Sequence, residues 1–141
     1  MDSKLSFVSG VGDEPLLFQN IGQVLDLAAS NFGSKEAIIS CHQDTRYTYA
    51  ELNAKSNKIA LGLLELGMRK GDRIGIWSPN CMEWVLTQFA TAKLGLILVN
   101  INPAYRSGEL EYALNQVGCK ALVTAKSFKS SNYFEMLQGL A

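Results

Sequence analysis

The sequence predicts an α/β protein built on an incomplete, doubly wound parallel sheet, with flanking helices and a short β-hairpin near its start. Three segments have strand character, Arg73–Trp77, Leu96–Ile101 and Lys120–Thr124, and segments of helical length separate them. Strands that alternate with helices in this way pair in parallel through right-handed crossovers. The run from Leu96 is almost continuously apolar, which is typical of strands covered on both faces. We expect the sheet to be incomplete because the chain stops where another strand would be due.

One helix and the hairpin are predicted to precede this sheet. The first twenty residues show no sustained period and indicate an extended N-terminal arm. Asn20 can cap a helix over Ile21–Phe32. Its apolar stripe is predicted to consist of Val24, Leu25, Ala28 and Phe32. Two short strands, Glu36–Cys41 and Arg46–Thr48, then form the predicted hairpin.

A capping box opens the second helix, which we predict over Tyr49–Leu66. The hydroxyl of Thr48 can accept from the backbone N–H of Glu51, while the Glu51 carboxylate reaches back to the N-cap. Positions three and four apart then give a stripe that should face the core. Its members are Leu52, Ser56, Ile59, Leu63 and Leu66.

The remaining helices are predicted from similar signals. Asn80 and Glu83 form a second capping pair, which indicates a helix over Cys81–Leu94. This helix is apolar on most sides, so we expect it to be buried on most sides. Ser107 can cap the next helix, and Ser127–Gln138 is predicted to be the last.

Composition narrows the class of protein. The 141 residues suit one domain or part of one, and a hydrophobic content of 48% suits a globular core. Only 18% of the residues are charged, which is below the usual value of about 25% and fits a chain that relies on a partner or on a missing remainder. The 13 basic and 13 acidic side chains cancel without forming a basic patch, so no nucleic acid partner is expected.

Cysteine usage and apolar runs exclude several other classes. The three cysteines lie about forty residues apart, a spacing that matches neither a metal site nor a secreted disulfide framework. We expect them to be reduced and packed as small hydrophobic residues. No apolar run reaches the roughly 18 residues of a transmembrane helix. The first twenty residues contain acids and no Arg, so they do not form a transit peptide.

Four motifs occur in a fixed order over about eighty residues. They are Thr48-Tyr49-Ala50-Glu51-Leu52, Lys70-Gly71-Asp72-Arg73-Ile74, Ser78-Pro79-Asn80, and Ala92-Lys93-Leu94-Gly95 with the strand to Asn102-Pro103. Each is weak alone, because capping boxes and Lys-Gly-Asp turns are common. Together they resemble the start of the adenylate-forming ligases, and of the acyl-CoA synthetases in particular.

Further runs are similar to the medium-chain acyl-CoA ligases of that family. They are Trp84-Val85-Leu86 with Gln88, Asn102-Pro103-Ala104-Tyr105, Glu109-Leu110-Glu111-Tyr112, and Val117-Gly118-Cys119-Lys120-Ala121-Leu122-Val123. The likeness covers nearly the whole chain but only the beginning of a family member. It implies that residues 21–141 are the beginning of the large N-terminal domain of an AMP-dependent synthetase.

The resemblance also implies a two-step reaction for the parent enzyme. A medium-chain carboxylic acid would attack the α-phosphate of ATP to give an acyl-adenylate and pyrophosphate, and the thiol of CoA would then displace AMP. Such chemistry requires a Gly/Ser/Thr-rich phosphate loop with a Lys, Mg²⁺, and a mobile C-terminal domain with a catalytic Lys. The resemblance suggests a mitochondrial parent.

We expect no catalytic or metal-binding residue and no firm cofactor-binding residue in this sequence. The stretch Asn31-Phe32-Gly33-Ser34-Lys35 is nearest to a phosphate loop, but it lacks the first Gly and ends a helix. His42 lies beside a predicted turn and has no nucleophile motif with it. Asn102 and Tyr105 follow the carboxyl end of a strand, where open α/β sheets bind ligands, so they are weak candidates for cofactor binding. For Asn102, formation of a turn is the simpler role.

Three functional hypotheses follow. The first is an N-terminal fragment of an acyl-CoA synthetase that is inactive by itself and self-associates through exposed apolar edges. The second is a non-enzymatic truncated product that binds the full-length enzyme or another partner. The third, an unrelated nucleotide-binding module, would require a Gly-rich loop directly after a strand, and the sequence has none.

Overall fold

The computed structural model describes Gly10, Gly12 and residues 16–140. Besides a short 3₁₀-helix (Cys41–Gln43), five α-helices and seven strands occur in these residues. In chain order they are α1 (Ile21–Phe32), β1 (Glu36–Ser40), β2 (Thr45–Thr48), α2 (Tyr49–Glu65), β3 (Arg73–Trp77), α3 (Met82–Leu94), β4 (Ile97–Ile101), α4 (Ser107–Val117), β5 (Ala121–Thr124), β6 (Ser127–Phe128), β7 (Ser131–Asn132) and α5 (Tyr133–Gln138).

The central sheet has the strand order β4-β3-β5, and both of its pairings are parallel. Gly75 of β3 lies opposite Val99 of β4 and Leu122 of β5. A Cβ atom at Gly75 would lie 2.9 Å from Leu122 Cδ1 and 3.4 Å from Leu114 Cδ2, so this glycine lets α4 pack closely on the sheet. The predicted α/β class with a parallel sheet and flanking helices is therefore confirmed.

The two faces of the sheet carry different layers. Ile74 packs with Ala60, Leu63 and Ala90, which places α2 and α3 on one face. Trp77, three positions along the same strand, packs instead with Leu110 of α4 on the other face. Successive side chains of a strand point to opposite faces, so the alternation along β3 separates the two layers. A third cluster, centred on Leu25, Leu52, Met82 and Leu86, joins α1, α2 and α3 beside the β1–β2 hairpin.

The predicted elements agree with the structure over most of the chain. The bounds of α1 and β3 are as predicted, and α2, α3, β4 and β5 differ by one residue at an end. Thr48 forms the predicted capping box with Glu51: its hydroxyl accepts from the Glu51 N–H at 3.2 Å, and its own N–H donates to the carboxylate at 2.9 Å. The N-terminal arm is described only at Gly10, Gly12 and residues 16–20, and these residues are exposed and outside helices and strands.

The segment Ser127–Gln138 was predicted as one helix, and that prediction is wrong. Its first half forms the β6–β7 hairpin, and only Tyr133–Gln138 is helical. Lys129 adopts a positive φ of 52° at the turn, a conformation that the helical pattern does not reveal. The N-cap of α4 is Arg106, not Ser107, and its N–H donates to the Glu109 carboxylate at 2.8 Å.

The capping pair predicted at the start of α3 is also absent. Cys81 is the N-cap residue, and its side chain accepts no hydrogen bond from the backbone N–H groups of the first turn. Gln43, from the turn of the β1–β2 hairpin, accepts there from the Met82 N–H at 2.7 Å and donates to the Glu83 carboxylate at 2.8 Å. A residue 39 positions away in the chain thus replaces the local cap that Asn80 was expected to supply.

The packing of the helices differs from prediction at several positions. In α1 only Gly22 and Leu25 are buried, and Val24 and Phe32 are about half exposed. Leu66 was expected inside and is 79% exposed. In α3, Met82, Leu86 and Ala90 are buried, in agreement with the prediction that this helix is buried on most sides. The cysteines are free as predicted, but Cys41 is exposed instead of packed.

Candidate functional site at the carboxyl edge of the sheet

The carboxyl ends of β3, β4 and β5 meet at one edge of the sheet. The crossover after β3 carries α3 over one face, and the crossover after β4 carries α4 over the other. The chain therefore reverses its direction across the sheet at β3, between β4 on one side and β5 on the other. Open α/β sheets hold ligands outside the carboxyl ends of the strands at such a reversal.

Three adjoining cavities follow this edge. One of about 310 Å³ lies between the ends of β3 and β5 and is lined by Ser78, Trp84 and Lys126, among others. A second, also about 310 Å³, lies between the ends of β3 and β4 and shares Ser78 and Trp84 with the first. A third, of about 760 Å³, lies along the β6–β7 hairpin and shares Lys126 with the first. The first cavity shares lining residues with each of the other two, so the three adjoin along this edge, and together we call them the crevice.

The two candidate residues of the sequence lie in different places. Asn102 is exposed and lines the cavity between β3 and β4. Its Oδ1 accepts from the Ala104 N–H at 2.9 Å, which is the turn chemistry expected of it, and the side-chain NH₂ remains outside any hydrogen bond that the described residues make. Tyr105 lines a different cavity, a groove of about 520 Å³ between β4 and α4. The structure therefore does not bring Asn102 and Tyr105 into one cavity.

Two buried aromatic residues fix the loop that carries Asn102. The Trp77 indole N–H donates to the carbonyl of Asn102 at 3.1 Å, and the Tyr133 hydroxyl donates to the carbonyl of Pro103. Both side chains are fully buried, and burial raises the pKa of the Tyr133 phenol. Trp77 was predicted at the end of a strand and Tyr133 was not singled out, because the whole of Ser127–Gln138 was predicted as helix.

A group of polar side chains lines the cavity between the ends of β3 and β5. Gln43 holds the carboxylate of Glu83, and this hydrogen bond is the largest of the causes that lower the pKa of that carboxyl. Cys81 lies next to it, with its Sγ atom 3.3 Å from Ser78 Oγ. Glu83 is therefore anchored as an anion by the hairpin and does not project freely as a general base.

Within residues 16–140, no group of three or more His, Cys, Asp or Glu side chains is placed so that it could hold a metal ion. His42 is exposed in the hairpin turn, 3.4 Å from Ser40 Oγ. None of the helices in the described part of the chain is long and apolar enough to cross a membrane.

A comparison with models of protein families shows to which family this chain belongs. The family model described as "AMP-binding enzyme" matches residues 25–140. The chain belongs to this family. The resemblance to the adenylate-forming enzymes that was inferred from the four motifs is thereby confirmed.

Curated relatives in the AMP-binding family are much longer than this chain. The mitochondrial medium-chain acyl-CoA ligase ACSF2 of Mus musculus is 46% identical over 134 residues, and that of Homo sapiens is 47% identical. The matched residues make up 95% of this chain and 22% of each relative. The putative acyl-CoA synthetase YngI of Bacillus subtilis is 35% identical over 125 residues, or 23% of its length.

Solved structures of the family share the fold. The N-terminal domain of FACL13 from Mycobacterium tuberculosis is 34% identical with a TM-score of 0.73, over 75% of this chain and 27% of that one. The O-succinylbenzoate coenzyme A synthetase MenE of Bacillus subtilis, in complex with AMP, is 30% identical with a TM-score of 0.71, over 84% of this chain and 30% of that one. The chain therefore shares its fold with part of the N-terminal domain of FACL13.

Proposed function

We propose that this chain supplies the beginning of the N-terminal domain of an acyl-CoA synthetase. The parent enzyme would convert a medium-chain carboxylic acid, ATP and CoA into acyl-CoA, AMP and pyrophosphate through an acyl-adenylate. The observation that carries this proposal is the 46% sequence identity, over 134 residues, with a medium-chain acyl-CoA ligase. The names of the relatives also support a mitochondrial parent enzyme.

The chain alone is inactive in this proposal. The described residues lack a metal site, and the sequence lacks a Gly-rich phosphate loop that follows a strand. Its contribution is structural: the parallel sheet, the Asn102–Pro103 loop and the crevice at the carboxyl edge. In this proposal the groups that carry out the acyl transfer come from other parts of the parent enzyme.

The crevice is proposed to face the nucleotide portion of a substrate. The free NH₂ of Asn102 and the indole of Trp84 offer a donor and an aromatic surface between β3 and β4. Lys126 and Lys129 line the neighbouring cavity together with serine hydroxyls, and neither lysine forms an ion pair within residues 16–140. Tyr105 lies outside the crevice, so we assign it a smaller role than Asn102.

A chimera tests the proposal. Residues 25–140 replace the matching segment of the human relative, and formation of acyl-CoA from medium-chain acids is measured. We expect the chimera to retain turnover, and Asn102→Ala within it to raise KM for ATP or CoA more than it lowers kcat. Leu61→Ala, at an exposed position on α2, is the matched control. A folded chimera without turnover would overturn the proposal.

The alternative is a non-enzymatic truncated product that binds the full-length enzyme or another partner. The low content of charged residues and the exposed apolar side chains favour association of some kind. The transcript beyond the codon for Ala141 separates the two hypotheses. An open frame that continues into a Gly/Ser/Thr-rich loop supports the fragment of a synthetase, and a stop codon supports the truncated product.

A further inference from the structure

Tyr133 contacts both segments that carry the polar groups of the crevice. Its hydroxyl donates to the carbonyl of Pro103, in the loop after β4, and its backbone N–H donates to the carbonyl of Lys126 at 3.0 Å, beside the β6–β7 hairpin. The ring that separates these two donors is fully buried and stacks on Trp77. Asn102 lines the cavity between β3 and β4, and Lys126 lines the other two cavities. One buried residue therefore joins the two sides of the crevice.

The loop after β4 makes more hydrogen bonds than its turn requires. The Tyr105 N–H donates to the Asn102 carbonyl at 3.1 Å, and the Ala104 N–H donates to Asn102 Oδ1 at 2.9 Å, so the turn is closed by local bonds. The Trp77 indole adds a second donor to the Asn102 carbonyl at 3.1 Å, and Tyr133 adds a donor to the carbonyl that follows. Two buried aromatic residues thus hold two consecutive carbonyls of an exposed loop.

The direction of the Asn102 side chain depends on the backbone of this loop. Its Oδ1 atom is held by the Ala104 N–H, so its NH₂ group can move only together with the turn. Without the Tyr133 hydroxyl, the Pro103 carbonyl would lose its buried donor, and the turn would be held from one side only, by Trp77. A shift of about 1 Å in a group that contacts substrate is enough to weaken its action. The Asn102 side chain therefore lies where a distant hydrogen bond can control its position.

We propose that Tyr133 is a positioning residue for the nucleotide portion of the substrate and acts through Asn102. This inference rests on the proposed function, in which the crevice faces that portion and the Asn102 NH₂ group contacts it. The alternative is a purely structural role, because the polar atoms of buried Tyr and Trp side chains usually find a partner. The two roles differ in what the loss of the hydroxyl changes: the KM for a nucleotide substrate in the first, and only the free energy of unfolding in the second.

A double-variant cycle in the chimera with the human relative separates the two roles. Tyr133→Phe removes the donor and keeps the ring, and KM is measured separately for ATP and for CoA. We expect it to raise one of these KM values by about three- to tenfold, the one that Asn102→Ala also raises, and to change kcat by less than about twofold. In the Asn102→Ala background the same change should raise KM no further, because the positioned group is gone. No rise in KM, or an equal rise in both backgrounds, overturns the inference.

Asp72→Ala is the control for a loss of stability without a loss of position. The Asp72 carboxylate accepts from the Arg69 N–H and from Lys120 Nζ, both at 2.7 Å. It lies just before β3 begins, at the opposite edge of the sheet from the crevice. This variant should lower the free energy of unfolding and leave both KM values at the native level. A rise in KM equal to that of Tyr133→Phe would show that stability alone changes KM, and would overturn the inference.

Hydrogen exchange in the chimera gives a readout that needs no turnover. The N–H groups of Ala104 and Tyr105 close the turn, so Tyr133→Phe should speed their exchange and leave that of Ala60 and Leu63 in α2 unchanged. Unchanged exchange in the turn overturns the inference whether or not the chimera is active. A native chimera without turnover contradicts the proposed function, whereas an active chimera whose KM values do not respond to Tyr133→Phe contradicts only this inference.

Discussion

The indole ring of Trp77 stacks on the phenol ring of Tyr133, with centroids 3.5 Å apart and an interplanar angle of 11°. The two residues come from the central strand and from the last helix, 56 positions apart in the chain. Each also donates a hydrogen bond to one of two consecutive carbonyls, those of Asn102 and Pro103. The pair therefore ties α5, β3 and the loop at the carboxyl edge into one unit.

Tyr133→Phe should destabilise the chain by about 1–2 kcal/mol, because the Pro103 carbonyl loses its donor while the ring stack remains. Urea unfolding followed by circular dichroism measures this difference. Tyr112→Phe, which removes the hydroxyl of an exposed tyrosine, is the control and should change the free energy of unfolding by less than about 0.5 kcal/mol. Equal effects of the two variants would mean that the hydroxyl of Tyr133 does not hold the loop.

Thr48→Ala should cost about 1 kcal/mol, because the N–H of Glu51 loses the oxygen that caps α2. Thr48→Ser keeps that oxygen and should recover most of the loss. The midpoint of urea unfolding reports both variants. If the alanine variant unfolds at the native midpoint, the capping box contributes nothing to the stability of this helix.

Gln43→Ala should cost about 1–2 kcal/mol, because the Met82 N–H and the Glu83 carboxylate lose their partner. Asn80→Ala is the matched comparison: it alters the residue that sequence reasoning expected to cap α3, and its effect should stay below about 0.5 kcal/mol. Thermal or urea unfolding of both variants gives the order of the two effects. A larger loss of stability for Asn80→Ala than for Gln43→Ala would indicate that the local residue caps α3 and would contradict the role of the hairpin.

The ion pair of Asp26 with Lys93 should make the free energy of unfolding depend on pH in the acidic range. The hydrogen bond from Lys93 at 2.5 Å is the main cause that lowers the pKa of Asp26 below its usual 3.8. A carboxyl whose pKa is lower in the folded chain stabilises it above the unfolded pKa and loses that contribution as the pH falls through the folded value. The free energy of unfolding of the native chain should exceed that of Asp26→Asn at neutral pH, and this difference should shrink as the pH falls from about 5 to about 2. Lys93→Met should abolish the same dependence, and a constant difference across this range would exclude the linkage.

The sequence predicted the elements whose signals are local. Asn20 caps α1 and Thr48 caps α2 because an N-cap acts over three residues, within the reach of a sequence pattern. The apolar run of β4 predicted a strand in a parallel sheet for the same reason. The predicted type of each of these elements is confirmed.

The features that the sequence did not reveal depend on distant residues. Gln43 caps a helix that starts 39 positions later, and Tyr133 contacts a loop 30 positions earlier. Leu66 continues the apolar stripe of α2 by periodicity, but the helix ends at Glu65 and leaves this side chain in solvent. Asn102 was singled out as a weak candidate from its place after a strand and stays a prediction, whereas the crevice around Trp84 required the strand order to be known.

The exchange of labelled pyrophosphate into ATP, with medium-chain acids present, tests the central claim most directly. The claim is that this chain is part of an AMP-binding acyl-CoA synthetase and does not run the adenylation step alone. The purified chain should give no acid-dependent exchange above background, while the chimera with the human relative, measured at the same concentration, should exchange. Acid-dependent exchange that copurifies with the chain alone would contradict the account.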